Sequence, residues 1–348
     1  MKIIACMSGT SLDGLDLALC EFDNSKTNYS YKILEFKTFE YSTEWKKRLG
    51  NSQNLSGLEL CFLDKDFGSL TAQYILEFIK AKQISKVDYI ASHGHTVFHQ
   101  PEKNLSLQIG NAIQIASITQ IPTINDFRSL DVSLGGQGAP LVPIGDHLLF
   151  SEYDYCVNLG GFSNISFEEK GKRLAFDIAP TNLALNYYSK KMGFDFDKNG
   201  ELGKKGEINK KLLSKLNQIE YYKKSFPKSL GKEWLDSQFI PLIPSSMLYE
   251  DVLRTLYEHI GEQIGKILSK TNTKTLLSGG GAFNSFLVDR IQAYSNSNIF
   301  IPENNIINFK EALIFGFLGY LKINNKINVL SSVTGASRNS CSGVITYP

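Results

Sequence analysis

The sequence lacks the marks of several protein classes. Its five cysteines show no Cys-x-x-Cys spacing and lie mostly within apolar runs, which is typical of buried free thiols in a reducing compartment. The longest apolar run near the C-terminal end, residues 312–321, is about half as long as a membrane span requires. The apolar stretch at residues 3–6 is too short for the core of a secretion signal. We therefore expect a cytoplasmic protein without a membrane partner.

The chain also lacks a large excess of either positive or negative charge. The formal net charge is +2, and the lysine pairs at 204–205, 210–211 and 223–224 are scattered through one polar region, as on a solvated surface. This pattern predicts no nucleic-acid partner. The chain has 348 residues, of which 42% are hydrophobic and 21% charged, enough to form two hydrophobic cores. We expect two domains, at residues 1–150 and 151–348.

Glycine, by contrast, is concentrated at three places. Clusters at residues 7–14, 158–164 and 277–284 each follow an apolar, strand-like run. Because glycine carries no side chain, backbone N–H groups at such turns can approach an anion closely. The three clusters predict a nucleotide whose phosphates are held between two domains.

The order of predicted elements occurs twice along the chain. Alternating apolar residues predict strands at 2–6, 15–22 and 31–38, and helical spacing predicts a helix at 58–82. Strands at 155–158, 162–167 and 174–177 and a helix at 181–192 then repeat the order, with further helices at 246–270 and 310–321. This duplication predicts the two-lobed α/β fold of the actin, Hsp70 and hexokinase class, with a cleft between the lobes. The glycine- and proline-rich loop at 126–143 is long enough to be functional.

Several motifs together resemble one family, the anhydro-N-acetylmuramic acid kinases of bacterial cell-wall recycling, from end to end of the chain. Each glycine string alone is weak evidence, but their joint order and spacing is specific. The motifs are Met7-Ser-Gly-Thr-Ser-Leu-Asp-Gly-Leu-Asp16, Ser92-His-Gly-His-Thr-Val-Phe-His99, Gln108-Ile-Gly110, Asn125-Asp-Phe-Arg-Ser-Leu-Asp131, Gly135-Gly-Gln-Gly-Ala-Pro-Leu-Val-Pro143, Asn158-Leu-Gly-Gly-Phe-Ser-Asn164, Pro227-Lys-Ser-Leu-Gly231, Ser278-Gly-Gly-Gly-Ala-Phe-Asn284 and Thr334-Gly-Ala-Ser337.

The resemblance implies an ATP-dependent kinase that phosphorylates O6 of a 1,6-anhydrosugar while water opens the anhydro bridge. Asp177 matches the family's general base, and the alternative is a carboxylate that caps the following helix around residues 181–183. The residues expected to contact ATP are Gly9, Thr10, Ser11, Leu12, Asp13, Gly14, Leu15, Asp16, Gly160, Gly161, Gly279, Gly280 and Gly281. Asp13 is expected to bind Mg²⁺ beside the phosphates, whereas a turn aspartate bonded to its own backbone is the alternative for both Asp13 and Asp16.

Five residues are expected to contact the sugar by the same resemblance: His93, Arg128, Asp131, Asn182 and Glu311. For Arg128 the alternative is an internal ion pair with Asp131, and for His93 it is a structural hydrogen bond. For Glu311 the alternative is plain exposure at a helix N-terminus. His93 and His95, two apart on a predicted strand, are expected to share one face, with His99 nearby; a metal site there is the weaker interpretation.

The chain departs from the family pattern after Asp177. The family's Asp-x-Gly-Pro-Gly-Asn is Asp177-Ile-Ala-Pro-Thr-Asn182 here, and Asn186 stands where the family has aspartate. We expect Ala179 and Thr181 either to alter the turn or to fill part of the sugar pocket. Three functions stay open: the anhydro-N-acetylmuramic acid kinase, a kinase of the same fold for another sugar, and a non-catalytic nucleotide-binding protein. The resemblance also allows a homodimer.

Overall fold

A computed structural model describes residues 1–9, 12–24 and 29–348. The chain divides into two compact units, the first formed by residues 1–149 with 309–348, and the second by residues 150–308. The sequence-based division had assigned 309–348 to the second domain. These residues belong instead to the first unit, because the last strand pairs there and the helix at 309–323 packs there. Among the described residues, every helix is too short or too polar to span a bilayer.

The first unit is built on a mixed β-sheet. Strands β1, β2 and β3 form an antiparallel meander, β4 and β6 run parallel to β1, and β12 closes the edge antiparallel to β6. Strand β5 pairs with the far end of β4. The strands are β1 (Lys2–Ser8), β2 (Gly14–Asp23), β3 (Ser30–Glu40), β4 (Tyr89–Gln100), β5 (Leu105–Ile109), β6 (Thr123–Asn125) and, from the C-terminal end, β12 (Val344–Thr346).

Helices cover both faces of this sheet. Its helices are α1 (Thr43–Gly50), α2 (Gly57–Ala81), α3 (Ala112–Thr119), α4 (Ser129–Ser133), α5 (Pro143–Leu149), most of α11 (Asn304–Ile323) and α12 (Ser331–Thr334). Helix α2 begins with a capping box between Ser56 and Glu59, and its apolar stripe packs on one face of the sheet. On the other face, α11 comes close enough that a Cβ at Gly319 would lie 2.8 Å from Ala91 Cβ.

The second unit repeats the same strand order. Its sheet runs β11-β10-β7-β8-β9, with β7, β8 and β9 as an antiparallel meander and β10 and β11 parallel to their neighbours. The corresponding order in the first unit is β6-β4-β1-β2-β3. The predicted duplication of an α/β fold is thus confirmed by the topology. The strands are β7 (Tyr155–Leu159), β8 (Phe162–Glu169), β9 (Lys172–Pro180), β10 (Lys274–Ser278) and β11 (Asn298–Phe300).

One long amphipathic helix organises the core of the second unit. Helix α9 buries Leu253, Leu256, Ile260 and Ile264 among the apolar side chains of the sheet and of α6 and α10. The helices are α6 (Asn182–Lys191), α7 (Lys210–Asn217), α8 (Lys232–Trp234), α9 (Tyr249–Ile267) and α10 (Ser285–Tyr294). All five cysteines are unpaired; three are buried, but Cys61 is exposed, contrary to the expectation of general burial.

Candidate active site

The first glycine turn joins β1 to β2. Leu12 adopts a left-handed conformation with φ of 61°, and its N–H donates to the Gly9 carbonyl at 3.4 Å. Thr10 and Ser11, both expected to contact phosphate, lie outside the described residues. Gly14 is required by packing, because a Cβ there would lie 2.4 Å from the Phe39 carbonyl oxygen. The exposed part of the turn therefore ends near Asp13.

Three of the residues expected to contact ATP belong to strand β2 rather than to the turn. Gly14, Leu15 and Asp16 are all paired with β3, and the Leu15 side chain is buried in the core. This corrects the expectation for Leu15, whose side chain has no access to a ligand. Asp16 stays partly accessible, and its Oδ1 accepts a hydrogen bond from the Thr38 hydroxyl at 2.5 Å.

The two carboxylates of this turn differ in environment. Asp13 is exposed, whereas burial raises the pKa of Asp16, with the Thr38 hydrogen bond opposing and the charge of Asp13 adding to the rise. Within the described ranges, no group of three or more His, Cys, Asp or Glu side chains is arranged to hold a metal ion. Mg²⁺ at nucleotide sites commonly needs only one or two protein carboxylates besides water and phosphate. Asp13 with Asp16 fits that donor set.

A buried polar network lies behind the first turn. Tyr41 donates its hydroxyl to Ser8 Oγ at 2.8 Å, and Ser8 Oγ lies 3.0 Å from His95 Nδ1. Burial lowers the pKa of His95 to about 4, so the ring is neutral and Nδ1 accepts from Ser8. The Tyr41 backbone N–H also donates to the Asp13 carbonyl at 3.4 Å. Tyr41 thus holds the turn at both ends.

His93 and Arg128 form a second buried pair. His93 Nδ1 lies 2.9 Å from the Gly94 carbonyl, and Nε2 accepts from Arg128 Nε at 3.1 Å and Nη2 at 2.8 Å. Burial and the Arg128 charge lower the pKa of His93 to about 3, which keeps the ring neutral and able to accept. Both ring nitrogens are occupied, so His93 orients Arg128 rather than presenting a free nitrogen.

Arg128 keeps part of its guanidinium available. Nη1 donates to the Gly138 carbonyl at 2.6 Å, and Nε and Nη2 donate to His93. Among the described residues, the second N–H group on each Nη atom has no acceptor. Within the described part of the chain, the alternative ion pair with Asp131 is not formed. Arg128 is fixed by neutral partners, a geometry that suits recognition of a carboxylate.

Asp131 does not face a ligand. Its side chain is fully buried; Oδ2 accepts from the Gly138 N–H at 2.8 Å and Oδ1 from the Thr334 hydroxyl at 2.8 Å. The carboxylate therefore joins the loop before α5 to helix α12. The expectation of direct sugar contact is corrected to a positioning role, because both oxygens are already used inside the fold.

Glu311 lies well inside α11, not at its start. Helix α11 begins at Asn304, six residues before the predicted start, which removes plain exposure at a helix N-terminus as the explanation. The surrounding protein raises the pKa of Glu311, and the nearby Asp16 charge raises it further, while Arg128 opposes the rise. The side chain nevertheless remains exposed to solvent. Asp16, Arg128 and Glu311 thus influence one another electrostatically.

The two histidines of β4 point to opposite faces of the sheet. His93 contacts the Phe315 ring of α11 with centroids 4.5 Å apart, whereas His95 contacts Phe67 of α2 at 6.2 Å. Gly94, at φ of +75°, breaks the alternation, and the register of β1 and β4 shifts there. The expectation of a shared face was wrong for this reason. It removes the geometric basis for a histidine metal site.

The second and third glycine clusters lie against each other in the second unit. The carbonyls of Gly160 and Gly161 accept from the first N–H groups of α6, including Asn182 N to Gly160 O at 3.2 Å. The Asn182 side chain donates to the Leu159 carbonyl at 2.9 Å. A Cβ at Gly281 would lie 2.7 Å from Leu159 Cβ, whereas Gly280 faces open space. Asn182 therefore ties the start of α6 to the second glycine turn, with its side-chain Nδ2 donating there.

Asp177 is held by a segment from elsewhere in the second unit. Strand β9 continues to Pro180, so Asp177 lies inside the strand rather than at its predicted end. Its Oδ2 accepts from the Leu230 N–H at 2.8 Å, its N–H donates to the Lys228 carbonyl at 3.1 Å, and its carbonyl accepts from the Tyr221 hydroxyl at 2.6 Å. The carboxylate does not cap α6, since the first α6 N–H groups bond to the glycine turn.

Burial raises the pKa of Asp177, and the Leu230 N–H opposes the rise. A partly desolvated carboxylate binds a proton more readily than a fully exposed one.

Comparison with known proteins identifies the family. The profile described as anhydro-N-acetylmuramic acid kinase matches residues 1–348. The protein of that name from Vibrio cholerae is 35% identical over 369 residues, covering 99% of this chain and 98% of the relative. The one from Hydrogenovibrio crunogenus is 32% identical over 372 residues, with 99% and 98% covered. The chain belongs to the anhydro-N-acetylmuramic acid kinase family.

Solved structures give only distant similarity. A ROK family glucokinase from Streptomyces griseus in complex with glucose and AMPPNP is 12% identical, with a TM-score of 0.41 and coverage of 91% of this chain and 97% of that one. Component A of (R)-2-hydroxyglutaryl-CoA dehydratase from Acidaminococcus fermentans is 9% identical, with a TM-score of 0.45 and coverage of 90% and 95%. At these values neither supports a functional conclusion.

The departures from the family motif lie inside the fold. Ala179 and Thr181 are both fully buried, and the Thr181 hydroxyl donates to the Ala179 carbonyl at 3.2 Å. Neither residue has a positive φ. The expectation that these side chains alter the turn or fill part of the sugar pocket stays a prediction. The substitutions in this member of the kinase family are absorbed by packing in the second unit.

Sequence reasoning missed the residues that position the predicted ones. Tyr41 and Ser8 behind the first turn, and Tyr221 and Leu230 around Asp177, were not singled out. Leu230 lies in a motif that resembles the family, Pro227-Lys-Ser-Leu-Gly231, so the sequence does mark this segment although it does not indicate a contact with Asp177. For Tyr221 no such signal existed, since it lies 44 residues from Asp177 in sequence.

Proposed function

We propose that this chain converts 1,6-anhydro-N-acetylmuramic acid, ATP and water to N-acetylmuramic acid 6-phosphate and ADP, in cell-wall recycling. The observation that carries the proposal is Asp177, kept at the start of a motif that is altered after it and held at its carboxylate, N–H and carbonyl by three hydrogen bonds. Family membership over the whole chain supports the same activity. A protein that only bound nucleotide would not need a desolvated base.

In the proposed reaction Asp177 accepts a proton from water. The water oxygen forms a bond to C1, the C1–O6 bond breaks, and O6 forms a bond to the γ-phosphorus as ADP leaves. The Leu230 N–H opposes the rise in the pKa of Asp177 that burial causes, and Tyr221 fixes the strand that carries it. Both contacts favour one orientation of the base.

For ATP we propose the glycine turns as phosphate-binding elements. The phosphates would accept hydrogen bonds from backbone N–H groups near Gly9, near Gly160 and Gly161, and at Gly280, which faces open space. Gly279 and Gly281 serve close packing instead. Asp13, with Asp16 beside it, would hold Mg²⁺. When bound, Mg²⁺ would neutralise charge on the phosphates.

For the sugar we propose two charged contacts. Arg128, fixed by His93, presents its remaining N–H groups to the lactyl carboxylate. Glu311, with its raised pKa, takes part in hydrogen bonds to the sugar. His93 and Asp131 act by positioning, because their polar atoms are engaged within the fold, whereas the Asn182 side chain uses only its Nδ2, on the Leu159 carbonyl.

We further propose that the enzyme works in the cytoplasm as a homodimer, without nucleic-acid or membrane partners. The mild net charge and the lack of a membrane-spanning helix in the described residues agree with this proposal. Sedimentation of the pure protein with and without DNA tests the dimer and the nucleic-acid part together.

The activity is tested by ADP release from ATP with a panel of sugars. We expect release with 1,6-anhydro-N-acetylmuramic acid and a fall in kcat of about 1,000-fold for Asp177→Asn. Asp195→Asn, at an exposed position of the second unit, is the matched control and keeps full activity. Release with another sugar instead assigns a different substrate, and no release above the Asp177→Asn level with any sugar contradicts kinase activity.

A further inference from the structure

The second unit contains a cavity that the proposed reaction does not use. It has a volume of about 150 Å³ and is lined by aromatic and basic side chains. Phe176 and Ile178 line it, and they alternate along β9 with Asp177. The cavity thus lies on the face of the sheet where α9 packs, while the Asp177 carboxylate bonds to Leu230. The other lining residues are Tyr222, Lys224, Phe226, Lys228, Gln263, Lys266 and Ile267.

Three lysines converge on this cavity with little acidic compensation. Lys266 pairs with Glu262 at 2.7 Å, but within the described residues no carboxylate pairs with Lys224 or Lys228. The Lys228 ammonium donates to the Tyr221 carbonyl at 3.3 Å and lies over the Phe176 and Tyr221 rings, 5.5 Å and 4.8 Å from their centroids. Burial lowers the pKa of Lys228. A partly buried cation without a counter-ion attracts an anion.

The walls of the cavity are partly apolar. Phe226 stacks on Phe176 with centroids 5.6 Å apart and an angle of 4° between the rings. Behind them, Tyr222 bonds to buried His259 Nε2 at 2.9 Å, and His259 Nδ1 lies 2.6 Å from Asn217 Oδ1. The site therefore has cations at its rim and an aromatic floor.

The same segment reaches both the cavity and the proposed base. Residues 221–231, here called the strap, run along the edge strand β9 and supply Lys224, Phe226 and Lys228 to the cavity. The strap also supplies the Tyr221, Lys228 and Leu230 contacts to Asp177. A ligand that orders the strap from the cavity side also orders the contacts of Asp177.

We propose that the cavity of Lys224, Lys228 and Lys266 binds a phosphomonoester dianion and raises turnover by ordering the strap around Asp177. The inference rests on the proposed function only for its effect on turnover. Lysine ammonium groups suit a phosphate dianion as mobile point charges, and the aromatic floor suits the C–H face of an attached sugar. Free phosphate and a sugar phosphate share this chemistry.

Binding can be followed without any assay of activity. The chain has two tryptophans, and the ring of Trp234 lies 5.4 Å from that of Tyr221 in the strap. In full-length Trp45→Phe protein, Trp234 is then the only tryptophan. We expect glucose 6-phosphate to change its emission saturably, whereas glucose and sodium chloride at matched ionic strength leave it unchanged. Inorganic phosphate, titrated alongside, shows whether the sugar adds to affinity.

Variants assign the response to the cavity. Lys224→Gln and Lys228→Gln are each expected to weaken glucose 6-phosphate binding about tenfold. Lys223→Gln is the matched control, because Lys223 is exposed, pairs with Glu220 and does not line the cavity. Absence of a saturable response, or equal binding by Lys224→Gln and the parent protein, overturns the site.

Turnover tests the second half of the proposal. At saturating substrates, we expect glucose 6-phosphate to raise kcat at least about twofold in the parent protein and not in Lys224→Gln. The KM values for ATP and sugar should change little. Saturable binding with an unchanged kcat overturns the coupling to Asp177, and binding without any kinase activity contradicts the proposed function alone.

Discussion

The two units share a strand order, but the side chains beside the first glycine turn of each unit differ. In the first unit the turn leads into Asp13 and Asp16 and is held by the buried network of Tyr41, Ser8 and His95. In the second unit the turn at Gly160 and Gly161 leads into a strand whose first residues, 162–167, carry no charge, and the turn is held by backbone bonds from α6. Duplicated topology thus fixes where each turn lies, and local side chains decide its chemistry.

The difference suggests a division of labour in the proposed reaction. Carboxylates at the first turn suit a cation beside phosphate, whereas the second turn offers only backbone groups. In the second unit, the carboxylate that the proposed reaction uses is Asp177. It lies on the third strand of the meander rather than at the turn. In the proposed reaction, charge would therefore serve metal and sugar binding in one unit and proton transfer in the other.

Removing the charge of the first turn should have the largest effect among the following variants. Asp13→Asn is expected to lower kcat/KM for ATP about 100-fold and to raise the Mg²⁺ concentration needed for half activity. Initial rates at varied Mg²⁺ measure this change, and Glu21→Gln, exposed on the same strand β2, is the control. An unchanged Mg²⁺ dependence would remove Asp13 from the metal site.

The second-largest expected loss of activity follows from changing the guanidinium of Arg128. Arg128→Lys keeps the charge but loses the fork held by His93 and Gly138, so kcat/KM for the sugar should fall about 30-fold. The loss should appear in KM for the sugar and not in KM for ATP. A variant with equal losses for both substrates would instead indicate a general disturbance of the first unit.

Asp131 offers a test of positioning against contact. Asp131→Asn places an amide near the Gly138 N–H and the Thr334 hydroxyl, and should lower the free energy of unfolding by about 2 kcal/mol. Denaturant unfolding measures it, with the exposed Glu102→Gln as control. If Asp131→Asn kept the full free energy of unfolding and lost only sugar binding, Asp131 would be a sugar contact rather than a positioning residue.

The smallest expected effect is a gain in stability at Asp177. Its pKa is raised in the folded protein, so the folded state binds its proton more tightly and loses stability as pH rises through that pKa. Asp177→Asn should therefore unfold at a higher temperature than the parent protein at pH 7.5, by roughly 2 °C. The gain should shrink toward pH 4. A variant less stable than its parent at pH 7.5 would mean that the Leu230 hydrogen bond outweighs burial.

Local signals in the sequence sufficed for the elements and their repetition. Alternation along β1, β2 and β3 and the apolar stripe of α2 depend only on neighbours in sequence. The start of α11 was placed too late, because residues 304–309 carry few helix signals and are stabilised by packing.

The candidate site was predicted less completely because its side chains are fixed by distant partners. Asp131 looked available in sequence, but its acceptor is used by Thr334, 203 residues away. His93 and His95 looked equivalent until Gly94 turned the strand between them. Such contacts have no local pattern, so residue type predicted the chemistry, and only the fold distinguished positioning residues from those left accessible.

The most direct test of the account is the fate of the water oxygen. The reaction is run in H₂¹⁸O with 1,6-anhydro-N-acetylmuramic acid and ATP, quenched rapidly and analysed by mass spectrometry and ³¹P spectroscopy. The account predicts that the sugar phosphate gains one ¹⁸O on its sugar carbons and none on phosphorus, and that Asp177→Asn forms about one-thousandth as much of it. Label bound to phosphorus, or equal product from Asp177→Asn, would contradict it.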